Sequence, residues 1–394
     1  MNLVLLAAFW ISAIGLLYGF IIYPGVLFFV GQLKGSKTFV EDEYPTVSLV
    51  IAAYNEESVL KRKLENALEI DYPREKLEIL LGSDGSNDST AEIASQFVDA
   101  GVKFYDYRTR RGKPSVLNET IAKSKGEVLF LCDANVMFDP QALKRLVAHF
   151  GTPAIGAVTG DVRLESHEAN FGEGESTYYK LERAIQLGES KLGSVMGVDG
   201  GMYVIRRSLF DTLPSWALNE EFIASMRVIR KGFRIAYEPE AFAIETATPT
   251  ARQEWRRRVR VSAGSVQILR GGFWPPVTRP VELWQFLSHK ALRWANPVLL
   301  AVLFTVNAAL TMLGAHPLYK MTFLSQAAFY SLAILATFSL AFRNTKIGGV
   351  AFYFTMSHVA MAVGTVKGLL GRQETTWKQA DRTLSVAQSS SGHS

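Results

Sequence analysis

The sequence is poor in cysteine: Cys132 stands alone among 394 residues. That excludes an internal disulfide and any cysteine-based zinc cluster, and it suits a reducing compartment. There is no G-x-G-x-x-G and no G-x-x-x-x-G-K-[ST], so neither a dinucleotide fingerprint nor a P-loop is supported. His167, His289 and His358 have no ligand-like spacing and read as structural or interfacial. Charge is also sparse, 20% of residues against 48% hydrophobic, and the mean hydropathy is slightly positive. Such an average is too apolar for an ordinary soluble enzyme and too polar for a pure membrane bundle. The chain therefore reads as two kinds of segment. Its formal charge of +5 is modest, but Arg252, Arg256, Arg257, Arg258 and Arg260 fall within nine residues. A cluster of this kind suits a pyrophosphate or anionic lipid. No basic domain surrounds it, so no nucleic-acid partner is expected.

Residues 1–33 carry no charge. Some 20 residues at ~1.5 Å rise cross a bilayer core. The run lacks the basic start and short apolar stretch of a signal peptide. It reads as a retained anchor with a break at Pro24-Gly25. Lys34 and Lys37 follow it and place the next segment in the cytosol by the positive-inside rule. Apolar stretches recur at 294–314, 322–342 and 347–369. Before them, residues 276–293 mix Trp and Phe with Lys290 and Arg293, which predicts an interfacial amphipathic helix. A helix of the soluble core is the alternative. Three full crossings would leave the basic tail GRQETTWKQADR outside, against its preference. One late segment is therefore expected to be re-entrant or interfacial. The third, with Ser357-His358 and several glycines, is the candidate. The expected organisation is an anchor at 1–33, an α/β domain at 38–275, the interfacial helix at 276–293, membrane helices at 294–370 and a tail at 371–394.

The middle region has a soluble texture. TVSLVIAAY is a continuous β-branched run, as expected of a buried parallel strand. NEESVLKRKLENALEI follows with Val59, Leu60, Leu64, Ala67 and Leu68 on one helical face. LEILLGSDGS, KFYDY and EVLFLCDAN read as further strands. STAEIASQFVDAG, capped by Ser89 or Thr90, and KPSVLNETIAKSKG read as helices between them. Strand–helix alternation predicts a mostly parallel, doubly wound α/β sheet, whose ligands sit at the carboxyl ends of strands. Three such exits are polar: Tyr54 to Glu57, Asp84 to Ser86, and Asp133 to Asn135.

Carboxylates gathered at the ends of neighbouring strands repel unless a cation or a ring of donors lies between them. Asp133 and Asn135 place two oxygen ligands on one side of an extended segment, a pattern suited to Mg²⁺ or Mn²⁺ holding a diphosphate. Taken alone, Asp133 reads more readily as a turn residue capping backbone donors.

The ordered set TVSLVIAAYNEE, GSDGSNDST, RRGKPSVLN, FLCDANVMF, GVDGGMYVIRRSLF, NEEFIASMRVIRKGFRIAYEPEA and RRRVRVSAG resembles the inverting family 2 glycosyltransferases of GT-A fold. In layout the chain is most similar to their membrane-embedded polysaccharide synthases, those of cellulose, hyaluronan and poly-N-acetylglucosamine. The resemblance implies transfer from a nucleotide sugar, a UDP-sugar, to a lipid-linked or growing polysaccharide acceptor. It assigns the nucleobase and ribose to Ala53, Tyr54 and Glu56, a base contact to Asp84, and the phosphates to Lys113. Asp133 and Asn135 match the metal motif, with asparagine in the final place. Counting back from the Gly232 turn puts Glu221, preceded by Glu220, at the general base. The alternative is that this pair favours a helix N-terminus. Asp199, in Asp199-Gly200-Gly201, falls in a loop near the acceptor or forms a turn needing positive φ. Arg260 keeps the arginine of a Q-x-x-R-W signature that stabilises the leaving diphosphate, while Arg257 and Val261 replace its Gln and Trp. Loss of that Trp, which supports the acceptor sugar, argues against long-chain processivity. With Ser83, Asn135 and Glu221 also departing from the pattern, the rival reading is a nucleotide-sugar-binding regulator without catalysis.

Overall fold

A computed structural model of the chain describes residues 3–32, 44–165, 172–246 and 251–373. Lys34, Lys37, His167 and the tail beyond 373 lie outside the described residues. The chain starts as one long apolar helix. α1 (Leu3–Leu17) runs through a π turn at Tyr18–Ile22 into α2 (Tyr23–Gly31). Pro24 therefore breaks nothing. It closely follows the π turn, whose wider bonding leaves room for the proline ring inside a continuous helix.

The domain then alternates β1 (Val47–Ala53), α3 (Glu57–Leu68), β2 (Leu77–Asp84), α4 (Thr90–Ser95), β3 (Val102–Tyr107), α5 (Lys113–Ala122) and β4 (Val128–Asp133). It continues through β5 (Val136–Phe138), α6 (Ala142–Ala148), β6 (Ile155–Glu165), α7 (Gly172–Leu192), β7 (Met202–Arg206), α8 (Glu220–Arg230), β8 (Arg234–Thr246) and α9 (Ala251–Arg270). All eight strands form one sheet in the order β3-β2-β1-β4-β7-β6-β8-β5. The β3-β2-β1-β4 half is parallel, as the alternation predicts. β7 enters antiparallel to β4 and β6, and β5 antiparallel to β8, so the complete sheet is mixed. β1 is buried along its whole length because both faces are covered. Leu49 and Ile51 pack in one layer with Leu60, Leu64 and Phe130; Val50 packs in the other with Leu80, Val116 and Leu129.

α4 is shorter than its sequence pattern. It ends at Ser95, whose hydroxyl bonds back to the Ala91 carbonyl, and turns lead to Gly101 at φ 97°. Neither Ser89 nor Thr90 caps it by side chain. Asp88 does so, its Oδ1 accepting from the Thr90 amide at 3.0 Å. Thr90 instead crosses to the neighbouring helix and accepts from the Glu56 amide at 2.8 Å.

α10 (Pro280–Phe286) passes through a second π turn, Leu287–Ala291, into α11 (Leu292–Met312). α12 (Pro317–Phe338), α13 (Leu340–Arg343) and α14 (Lys346–Leu369) complete the chain. Among the described residues, four helical runs, Leu3–Gly31, Pro280–Met312, Pro317–Phe338 and Lys346–Leu369, are long and apolar enough to cross a membrane. The stretch expected at a membrane interface also belongs partly to the domain core. Phe286 is 2% exposed beside Phe222 and Trp294, and the Gln285 side chain accepts from the Ser194 amide and donates to the Glu189 carbonyl.

A buried polar latch ties the two kinds of segment together. The π turns meet where Tyr18 Oη and Ser288 Oγ lie 2.8 Å apart. His289 sits between Glu189 (2.8 Å) and Glu182 (2.9 Å), Tyr23 donates to Glu189, and Arg293 pairs with Glu182. α14 runs along α9 rather than only among the apolar helices. A methyl on Gly364 would lie 2.4 Å from the Val259 carbonyl oxygen, and one on Gly368 2.8 Å from that of Ala263. The two glycines let the backbones touch, and Arg258 of α9 donates to Tyr353 of α14.

Candidate active site

The parallel register aligns three strand exits. Ala52 pairs with Asp133 and Ala53 with Ser83, so the ends of β1, β2 and β4 open on one crevice. At the β1 end, Tyr54 lies under the Arg110 guanidinium, 3.8 Å from the ring centroid. Asn55 takes φ 53°, a left-handed turn an asparagine tolerates, and its amide donates to Ser86. Glu56 is fully buried and immediately precedes α3, its carbonyl accepting from the Val59 and Leu60 amides. Asp84 is 2% exposed, and its oxygens accept from the Arg111 and Gly112 amides at 2.7 and 2.8 Å. It thereby folds the 108–112 loop over the crevice. Gly112, at φ 89°, turns that loop into α5, whose N-terminal amides and partial positive charge face the same side.

The next residue, Lys113, is the hub. Its Nζ lies 2.7 Å from Asp133 Oδ1 and 2.7 Å from Glu220 Oε1. Burial alone would lower its ammonium, but Asp133, Glu220 and Glu221 outweigh it and hold the group well above its ordinary value. Glu220 is 4% exposed, and the pair that begins α8 therefore does more than favour a helix end. Glu221 faces the Asp199–Gly201 loop: a methyl on Gly200 would lie 3.4 Å from its Cγ. Burial, followed by the charge on Glu220, pushes the Glu221 carboxyl up to about 8.

α9 fixes this helix start. Arg260 donates to the Leu218 carbonyl at 2.9 Å, and Asn219 donates to the Val261 carbonyl at 3.1 Å. Gly264 is required here, since a Cβ would stand 2.6 Å from the Asn219 side chain. Arg257 and Arg258 both grip the buried Glu254, Arg257 at 2.9 Å and Arg258 at 2.7 Å. Arg257 also adds positive charge near Asp199 and Glu245. Asp199 closes its turn by accepting from the Gly201 amide at 2.9 Å; burial raises its carboxyl, and Asp133 adds to the rise.

The corner expected to hold a metal presents Asp133, a third of whose side chain is exposed, and Asn135. Among the described residues no group of three or more His, Cys, Asp or Glu gathers as a complete metal cage. One carboxylate and one amide oxygen at this strand exit nevertheless fit a cation that takes its remaining ligands from phosphates and water.

Two residues here escaped the sequence. Glu245 accepts from Asn135 Nδ2 at 3.1 Å. Burial, then Asp199 and Asp133, pushes its carboxyl up to about 7. Lys63, fully buried on α3, donates to the Val136 carbonyl just below the same turn and lies over Phe138. Burial lowers its ammonium to about 8. Neither carries a motif; Glu245 comes to the site only because β8 pairs with β5, Glu245 opposite Val136.

The eight-stranded mixed sheet with helices on both faces is that of the GT-A fold. Residues 45–264, more than half of the chain, match the family described as glycosyltransferase like family 2, and the chain belongs to that family. It is similar to the poly-beta-1,6-N-acetyl-D-glucosamine synthase of Staphylococcus epidermidis, 27% identical over 307 residues that cover 76% of this chain and 72% of the relative. The Staphylococcus aureus protein of the same name is 27% identical over 268 residues, 66% of this chain and 65% of that one. Among solved structures, the mannosyltransferase PcManGT from Pyrobaculum calidifontis, in complex with GDP-Man and Mn²⁺, superposes with a TM-score of 0.70 at 21% identity. The match covers 94% of this chain and 98% of that one. The shared fold thus includes the apolar helices as well as the α/β domain.

Proposed function

We propose that this glycosyltransferase works by inversion, moving a sugar from a UDP-sugar to a lipid-linked or growing polysaccharide acceptor at the cytosolic face of the cell membrane. The observation that carries the reading is the Lys113 hub, which joins the Asp133 corner to the Glu220–Glu221 helix start. Donor phosphates and acceptor base thereby belong to one ion-paired unit.

In this reading Ala53, Tyr54, Glu56 and Asp84 shape the nucleoside pocket, and Lys113 with the start of α5 receives the diphosphate. Asp133 and Asn135 hold Mg²⁺ or Mn²⁺, which would neutralise phosphate charge when bound. Glu221 takes the proton from the acceptor hydroxyl as that oxygen bonds to the anomeric carbon and the bond to the diphosphate breaks. A base with its carboxyl near 8 is well matched to that task at neutral pH. Arg260 and Arg257 stabilise the charge gained by the leaving diphosphate, and Asp199 with Glu220 borders the acceptor. The names of the staphylococcal relatives favour N-acetylglucosamine as the sugar and a polysaccharide as the product.

The proposed domain plan is an anchor at 1–33, a cytosolic catalytic domain at 38–275, an interfacial helix at 276–293, membrane helices at 294–370 and a tail at 371–394. The packing of α14 on α9 supports the reading that this last helix lies against the catalytic domain rather than crossing fully, which leaves the basic tail inside. The test is a nucleotide-release screen of UDP-sugars with purified full-length protein and Mn²⁺, followed by mass analysis of the products. Release from none of them favours the binding-regulator reading instead.

A further inference from the structure

We propose that Glu245 is a positioning residue for the metal corner, fixing the side chain of Asn135 so that its oxygen rather than its nitrogen faces the cation. The inference rests on the reading of Asp133 and Asn135 as metal ligands.

An asparagine is an ambiguous ligand. Its amide presents an oxygen on one side and two N–H donors on the other, and a half-turn about the last bond exchanges them. A cation accepts only the oxygen. An ionised carboxylate is an acceptor only, so in that form a carboxylate against one side of the amide selects the orientation that turns nitrogen toward it. Glu245 does this: Asn135 Nδ2 donates to Glu245 Oε1 at 3.1 Å, which directs Oδ1 away from Glu245. Asn135 is 8% exposed, so water competes little for the amide. The anchor on the other side is rigid. Glu245 sits in the β8 ladder, directly opposite Val136 of β5, one residue after Asn135. Lys63 holds the Val136 carbonyl from below, so the peptide carrying the ligand cannot easily shift.

The pairing also accounts for asparagine at this position. An aspartate at 135 would bring two carboxylates to a hydrogen-bond distance inside a corner already bordered by Asp133 and Asp199. Asparagine and Glu245 instead form a complementary pair, with the negative charge one residue removed from the metal. Two partners that fit only together should show it in a double-mutant cycle.

The experiment measures Mn²⁺ affinity directly, by electron paramagnetic resonance titration of the full-length protein in detergent, with Mn²⁺ alone and with Mn²⁺ plus UDP. Thermal unfolding of each variant checks the fold. Glu245→Gln keeps size but lets either end of the Asn135 amide face position 245. Glu245→Ala removes the contact. Outer partners of metal ligands are worth about 10–100-fold in affinity. We expect Mn²⁺ binding to weaken about 3-fold in Glu245→Gln and about 10-fold or more in Glu245→Ala, with unfolding temperatures little changed. Asn135→Asp alone should also bind less well than the double variant Asn135→Asp/Glu245→Gln, in which the introduced glutamine donates to the new carboxylate. Affinities within twofold of wild type in both Glu245 variants, with Asp133→Ala losing binding, would overturn the positioning role and leave the metal reading standing. Undiminished Mn²⁺ binding in Asp133→Ala would overturn both.

Discussion

Lys113 and Asp133 lie 2.7 Å apart, and the same ammonium also reaches Glu220 at 2.7 Å. The lysine is 20 residues from one partner and more than 100 from the other, yet it holds both. In the proposed reading, donor phosphates would meet an ammonium already shared between two carboxylates. Lys113→Met should therefore do two things. It removes a phosphate contact, raising KM for the donor, and it leaves Asp133 and Glu220 facing each other without a cation. We expect turnover to fall by about 10²-fold or more, and a lower unfolding temperature by calorimetry. A variant with wild-type KM and kcat would place Lys113 outside the donor site.

Glu221→Gln keeps the shape and removes the carboxylate proposed as the base. General base catalysis contributes about 10²–10⁴-fold, so kcat should fall by that range while donor KM changes little. A matching rise in KM with kcat preserved would assign Glu221 to binding instead.

The raised Glu221 carboxyl sets the pH response. Only the ionised form accepts a proton, so kcat/KM should climb as pH rises and level off above about 8. Stability runs the other way. A carboxyl held above its ordinary value favours the protonated folded state, and that contribution disappears as pH rises from the ordinary carboxylate range through about 8. Between about pH 6 and 9 activity should thus rise while the unfolding temperature falls, and Glu221→Gln should flatten that component of the stability curve.

Much of this site was legible in the sequence, and the reason is local. β1, β2 and β4 are continuous apolar runs whose polar exits follow immediately, so Ala53, Asp84 and Asp133 could be placed at strand ends from pattern alone. Gly232, at φ 92°, sat where a turn was needed. What stayed hidden depends on pairing across long stretches of chain. Glu245 reaches Asn135 only through the β5–β8 ladder, Lys63 lies in an otherwise ordinary helix pattern, and Thr90 leaves its own helix to bond Glu56. His289 carried no motif because its partners, Glu182 and Glu189, come from another helix.

The contact of α14 with α9 links the apolar helices to the arginines of the site. Gly364→Val would drive a side chain into the Val259 carbonyl, 2.4 Å from the added Cβ. Overpacking of this kind costs about 1–3 kcal/mol. Because α9 also carries Arg260 and holds the Leu218–Asn219 start of α8, we expect reduced kcat together with lower stability in detergent. Gly349→Ala, on the same helix where the nearest contact to an added Cβ is 3.1 Å, should be much milder in both assays.

The central claim, that this crevice transfers sugar from a UDP-sugar donor, is tested most directly by UDP release. Full-length protein in detergent with Mn²⁺ would be offered a panel of UDP-sugars, beside Asp133→Ala and Glu221→Gln. The account predicts release from at least one donor by the wild type and loss of about 10²-fold or more in each variant. Release unchanged by either substitution, or no release from any donor by a folded wild-type protein, would contradict it.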